Sequence, residues 1–201
     1  MLASSSPRRS ELLAQSGLEF EVDSLPVEED LNPGVDPLKL ARDISSRKAL
    51  AVAARHAGSL VIAADTFGVL DGKFLGKPQT AQQARDMLGK LSARKHTVIS
   101  GFTILDTATG KAVSRAVKTE VFFKKLSTDE IEDYVGTGEP LDKAGAYAIQ
   151  GLGKKLVRRI KGDYYNVIGL PLQALKEELK KFGVSLPAVP QSGFAVDSPA
   201  R

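Results

Sequence analysis

Apolar and polar positions along the chain fall into strand-like and helix-like stretches. Leu60-Val61-Ile62-Ala63-Ala64 is an unbroken apolar run of strand length, the pattern of a buried central strand. It leads to Asp65-Thr66, just where a carboxylate past the end of a buried strand would sit in an α/β site. Thr97–Leu105 and Ala112–Phe123 read as two strands joined by a turn through Asp106–Lys111. Phe20–Leu25 and Leu156–Ile160 read as shorter strands, and Leu2–Ser5 as the end of one. Val69–Leu75 carries the Asp71-Gly72 signal of a tight hairpin. Helices are predicted from Pro7 to Gly17 around Leu12 and Leu13, and from Asp36-Pro37 to about Ala57. Thr80 caps a third helix carrying Ala84, Met87, Leu88 and Leu91. Ser127-Thr128-Asp129-Glu130 is the capping box of a fourth, ended by Gly136. Leu172, Leu175 and Leu179 give the last helix its apolar side. After Phe182 the periodicity stops and proline, serine and alanine take over. The expected organisation is one domain over residues 1–183 and a flexible tail over 184–201.

Composition narrows the chemistry. The 201 residues suffice for a core without staples, and the absence of cysteine excludes disulfides, thiol nucleophiles and thiolate metal sites. No apolar run approaches the roughly 20 residues of a membrane span, and no signal peptide is apparent, so a cytoplasmic protein without a membrane partner is expected. The net charge of +4 mildly favours an anionic partner.

Polar residues placed against the local pattern mark the candidate site. Ser6-Pro7-Arg8-Arg9 opens a helix with a good N-cap and a proline at the first helical position. The exposed backbone N–H groups and positive dipole end of such a terminus favour a phosphate. Two arginines there oppose the dipole, yet their planar forks suit phosphate oxygens. Leu40, Ile44, Lys48 and Val52 fall four apart, so Lys48 interrupts an apolar stripe and either snorkels outward or reaches a cleft. Gly138–Gly153 has four glycines among Glu139, Asp142, Lys143 and Gln150. That stretch reads either as backbone shaped to approach a ligand or as a polar loop before a strand at Ala146–Gln150. His56, near a helix end, reads as structural, and His96 as a surface or satisfied histidine rather than a ligand. The cations Arg8, Arg9, Lys48, Lys77 and Lys143, with Glu28 or Glu29 and Asp65, suit a magnesium–phosphate site, which uses one or two carboxylates plus substrate phosphates. No P-loop motif is present.

Several of these segments together resemble the Maf family of nucleoside triphosphate pyrophosphatases. They are Leu2–Arg9, Arg47-Lys48-Ala49, Ala64-Asp65-Thr66, Gly76-Lys77-Pro78, Gly138–Gly153 and Gly162–Pro171, in matching order up to about Phe182. The resemblance implies an α/β fold, a mixed-sheet α/β/α sandwich with a deep central cleft, related to the inosine triphosphatase fold. It implies hydrolysis of a nucleoside triphosphate between the α and β phosphates, giving the monophosphate and pyrophosphate, with Mg²⁺ (or Mn²⁺) as cofactor and a nucleotide-pool clearing role. Ser6, Arg8 and Arg9 would hold phosphates, and Lys48 and Lys77 would neutralise charge. Glu29, or its neighbour Glu28, would help hold the metal. Asp65 would activate the attacking water or bind metal. Arg9, Thr66 and Gln150 match the subgroup preferring dTTP and UTP, and the Gln150 amide has the donor and acceptor that a pyrimidine imide edge requires. Phe67-Gly68 departs from the β-branched residues the family tends to place after Asp-Thr. A homodimer is the family expectation. The rival reading, a nucleic-acid-binding cell-division regulator, lacks the basic-plus-aromatic patch of a single-strand binder, so nucleic acid is not an expected partner.

Overall fold

The computed structural model describes residues 1–28, 34–187 and the backbone of 196–197. The chain is mixed α/β. Strands β1 (Leu2–Ala3), β2 (Leu60–Leu70), β3 (Lys73–Leu75), β4 (Lys95–Asp106), β5 (Ala112–Phe123), β6 (Val157–Lys161) and β7 (Val196–Asp197) form one sheet. Its order is β1-β2-β4-β5-β6-β7, with β3 paired to β2 off this path. β1 runs parallel to β2 and β7 parallel to β6, whereas β3 and β6 run antiparallel to β2 and β5. The helices are α1 (Pro7–Gln15), α2 (Pro37–Ala53), α3 (Ala81–Leu91), α4 (Thr128–Gly136), α5 (Tyr164–Ile168) and α6 (Leu172–Leu179). This composition is consistent with the expected α/β sandwich. The residues group into two compact units, one drawn from Met1–Thr66, Ile99–Val117 and Tyr165–Ser192, the other from Phe67–Val98, Lys118–Tyr164 and Gly193–Arg201.

In the first unit, α2 lies on β1 and β2 through small residues. Ala3, Ala49, Val52, Val61, Ala63 and Leu105 form one buried cluster, flanked by Met1, Leu25 and Ala53. Fully burying a residue such as Val52 contributes about 2 kcal/mol. Gly101 of β4 lets α2 approach still closer: a Cβ there would lie 2.0 Å from the Ala41 carbonyl oxygen. Asp36 caps α2 by accepting from the Leu38 N–H at 3.1 Å. The helix stops at Ala53 rather than Ala57, because the next amides turn to three-residue bonds, Arg55 to Val52 and His56 to Ala53. The predicted strand Phe20–Leu25 is reduced to one bridge, Val22 to Leu2. Its partner β1 is only two residues long and supports no longer ladder.

β2 also differs from expectation. It does not end before Asp65 but runs on to Leu70, because Gly68–Leu70 pair with β3. Asp65 and Thr66 therefore lie inside a strand.

In the second unit, that hairpin turns at Asp71-Gly72 as the sequence predicts, both at positive φ. Phe67 and Phe74 meet edge to face at 5.1 Å. Thr80 caps α3 through the Gln83 N–H, and the Ser127–Glu130 capping box of α4 is complete. α3 packs against α4 and the two 3₁₀ turns Glu139–Asp142 and Ala144–Ala146. The strand read at Ala146–Gln150 does not form. The strand read at Leu156–Ile160 begins at Val157, because Leu152–Leu156 winds into a 3₁₀ turn. The proposed tail lies partly outside the described residues.

Candidate active site

Period two along β2 and period four along α2 together build the centre. Val61, Ala63 and Asp65 alternate onto one face of β2, the face whose first two members pack on α2. The stripe Leu40, Ile44, Lys48, Val52 runs along α2, its three apolar members buried. The lysine ends on the acid: Lys48 Nζ donates to Asp65 Oδ1 at 2.6 Å, with side-chain exposures of 15% and 7%. Lys48 does not snorkel outward; its ammonium is turned to an acid, a partner that neither reading of the sequence named. A charge pair this shielded is held together because breaking it would leave a charge in a poorly solvated place.

Thr66, the next residue, faces the opposite side of the strand and joins a second cluster. Arg9 donates from Nε to the Gly169 carbonyl (2.9 Å), from Nη1 to Ser4 Oγ (3.3 Å) and from Nη2 to Thr66 Oγ1 (3.2 Å). Thr66 Oγ1 also lies 2.8 Å from Ser100 Oγ and 3.2 Å from the Gly169 carbonyl. Ser100 in turn donates to the Asn166 carbonyl at 3.0 Å. Arg9 is thus held in one orientation by three groups of the same unit. Ser6 occupies the N-cap position of α1, but its hydroxyl makes no capping bond, and no acid lies in the first turn. The first-turn N–H groups remain unoccupied by a side-chain cap, the condition under which a helix end binds an anion. Arg8 sits in that turn, half-buried.

Sequence reasoning did not find Ser4, Ser100, Asn166 or the Gly169 carbonyl. A signal existed for Ser100, a polar residue inside the apolar run Val98-Ile99-Ser100-Gly101-Phe102. The carbonyls carry no side-chain signature at all.

The second unit holds Lys77 and Gln150, both exposed. Lys77 lies between Gly76, whose carbonyl accepts from the Gly145 N–H at 3.0 Å, and the buried Pro78. Gln150 follows the buried run Gly145–Ile149. Within Gly138–Gly153 the charged residues are largely turned on the protein itself. Glu139 accepts from Tyr134 Oη at 2.7 Å and from the Leu152 and Gly153 N–H groups at 3.0 and 3.1 Å. Burial pushes its carboxyl up, but those bonds and the Lys143 charge win and hold it below its ordinary range. Lys143 pairs with the exposed Asp142. The Glu139 carboxylate is therefore taken up by Tyr134 and the chain's own backbone.

His56 is structural as predicted, 2.8 Å from Asp23 Oδ2. His96 is buried, its Nε2 is 2.8 Å from Tyr147 Oη, and burial pushes it down to about 4.

Among the described residues no group of three or more His, Asp or Glu could hold a metal ion. Glu29 lies outside the described residues, and Glu28 is exposed. In the first unit, Asp65 offers a buried carboxylate oxygen. That sparse donor set fits magnesium, which keeps waters and relies on substrate phosphates. No helix of the described residues is long and apolar enough to cross a membrane.

Comparison with known proteins identifies the relatives of this chain. The family model described as Maf-like protein matches residues 1–182. A dTTP/UTP pyrophosphatase of Desulforamulus reducens is 46% identical over 92% of this chain and 97% of its own. One from Syntrophotalea carbinolica is 49% identical, covering 91% of this chain and 84% of its own. One from Geobacter metallireducens is 48% identical, covering 91% and 95%. With the family model spanning all but the last 19 residues and relatives matched along nearly their whole length, the chain belongs to the Maf-like family.

Proposed function

We propose that the protein hydrolyses nucleoside triphosphates, dTTP and UTP above others, between the α and β phosphates to the monophosphate and pyrophosphate. The observation that carries this reading is the Lys48–Asp65 pair at 2.6 Å, a shielded acid and cation one residue along β2 from the Thr66 that holds the arginine of a helix start. The relatives' names support the reaction and the bases.

Asp65 takes the proton of the attacking water or helps hold a divalent cation, and Lys48 fixes its orientation and places a positive charge beside it. Asp65 and Glu29 would hold Mg²⁺ or Mn²⁺, which when bound polarises phosphate oxygens and lowers the pKa of water. Ser6, Arg8 and the N–H groups opening α1 bind phosphate oxygens. Arg9 presents its guanidinium in the orientation fixed by Ser4, Thr66 and Gly169. Lys77 neutralises phosphate charge, and Gln150 reads the pyrimidine imide edge through its amide. Clearing unwanted pyrimidine triphosphates is the role this activity serves.

The test is pyrophosphate release from dTTP with Mg²⁺. Asp65→Asn and Lys77→Ala should each lower kcat by at least about 100-fold, the scale of losing an acid–base group at Asp65 and a charge-stabilising group at Lys77, with unchanged circular dichroism. EDTA should abolish turnover and Mg²⁺ restore it. Near-normal rates in folded Asp65→Asn would refute the assignment.

A further inference from the structure

Gln150 sits in a six-residue segment, Ala148–Gly153, whose two ends are tied to the same pair of side chains. Tyr134, buried on α4, accepts from the Ala148 N–H at 3.1 Å and donates to Glu139 Oε1 at 2.7 Å. Glu139 then takes the far end: the Leu152 N–H donates to Oε2 at 3.0 Å and the Gly153 N–H to Oε1 at 3.1 Å. The backbone is drawn so close that a Cβ on Gly151 would lie 2.3 Å from Glu139 Oε2, and one on Gly153 would lie 2.6 Å from Tyr134 Oη. Glu139 is fixed from its own side as well, its N–H donating to Thr137 Oγ1 at 3.2 Å. The carboxylate thus accepts three bonds on two oxygens. The phenol relays the restraint from one end of the segment to the other. Two buried residues, Ala148 and Ile149, anchor the near side, and Gln150 is exposed between the tied ends.

We infer that Tyr134 and Glu139 are positioning residues for base selection: they clamp both ends of the Gln150 segment and so set the orientation in which its amide meets the pyrimidine. The inference rests on the reading of Gln150 as the base-recognising residue. An amide discriminates an imide edge from an amino-bearing one only if its donor and acceptor are held in register. A mobile segment would let the amide rotate to suit either, so loosening the clamp erodes selectivity before it erodes turnover. A purely structural pair would instead lower the rate on every nucleotide alike.

The experiment compares kcat/KM for dTTP and dCTP in the wild-type chain, Tyr134→Phe, Glu139→Gln and Gln150→Ala, and in each clamp variant combined with Gln150→Ala. The dTTP over dCTP ratio should fall about tenfold or more in each clamp variant, the scale of losing at least one bond to a charged group. In the Gln150→Ala background the same substitutions should leave the ratio unchanged. Hydrogen exchange supplies an independent readout: the Leu152 and Gly153 amides should exchange about tenfold faster in Glu139→Gln, with the amides of β4 unaffected. Should Tyr134→Phe fail to fold, Glu139→Gln carries the test. Unchanged exchange in Glu139→Gln would overturn the clamp. Faster exchange with an unchanged ratio would overturn its role in selection. An unchanged ratio in Gln150→Ala itself would instead overturn the reading of Gln150, and with it this inference.

Discussion

At the scale of single residues, Asp65 and Thr66 carry the account, and their adjacency separates two tasks. One side chain meets Lys48 on the α2 face, and the other meets Arg9 on the opposite face. The Lys48 position was legible as a break in a four-residue period, because a cation among Leu40, Ile44 and Val52 needs a partner. The partner's identity followed only from the register between helix and strand, which no local pattern encodes. For Thr66, its partners Ser100 and the Gly169 carbonyl lie 34 and 103 residues away in sequence. Gln150→Ala should reduce the dTTP preference while sparing hydrolysis, measured as kcat/KM across bases. An equal loss on all bases would make Gln150 structural. Thr66→Val should free Arg9 of one bond and cost about 1 kcal/mol of coupling in a double-mutant cycle with Arg9→Lys.

At the scale of elements, the parts with strong local chemistry formed as read. Asp36 and Thr80 cap their helices, the Ser127 box closes, and Asp71-Gly72 makes its hairpin. The parts that differed are those whose form is decided by partners. β2 continues beyond Asp65 because β3 pairs with it. Gly138–Gly153 forms short 3₁₀ turns rather than the strand read at Ala146–Gln150, because Glu139 and the Gly76 carbonyl take up backbone N–H groups a ladder would need. Gly101 is the sharpest test of element packing. Gly101→Ala would force a methyl to within 2.0 Å of the Ala41 carbonyl oxygen, so α2 and β4 must separate. The cost should be about 3 kcal/mol or more, a fall in Tm of roughly 10 °C by calorimetry. A fall of a degree or two would mean that α2 is not seated as described.

At the scale of the whole molecule, stability should depend on acid through His96. Burial beside Tyr147 and Phe123 keeps it neutral and pushes it from 6.5 down to about 4. Below pH 6.5 the unfolded chain binds a proton that the folded chain refuses, so this contribution is complete above pH 6.5 and is lost as pH falls towards 4. The loss should amount to about 3 kcal/mol, seen as a falling urea midpoint, and should largely disappear in His96→Gln. Acid loss of the same size in that variant would place the sensitivity elsewhere. The central claim, however, concerns chemistry, and a panel of nucleoside triphosphates with Mg²⁺, scored separately for pyrophosphate and orthophosphate, tests it most directly. The account predicts pyrophosphate, fastest from dTTP and UTP. Orthophosphate as the product, or no hydrolysis of any nucleotide with any divalent cation, would contradict it.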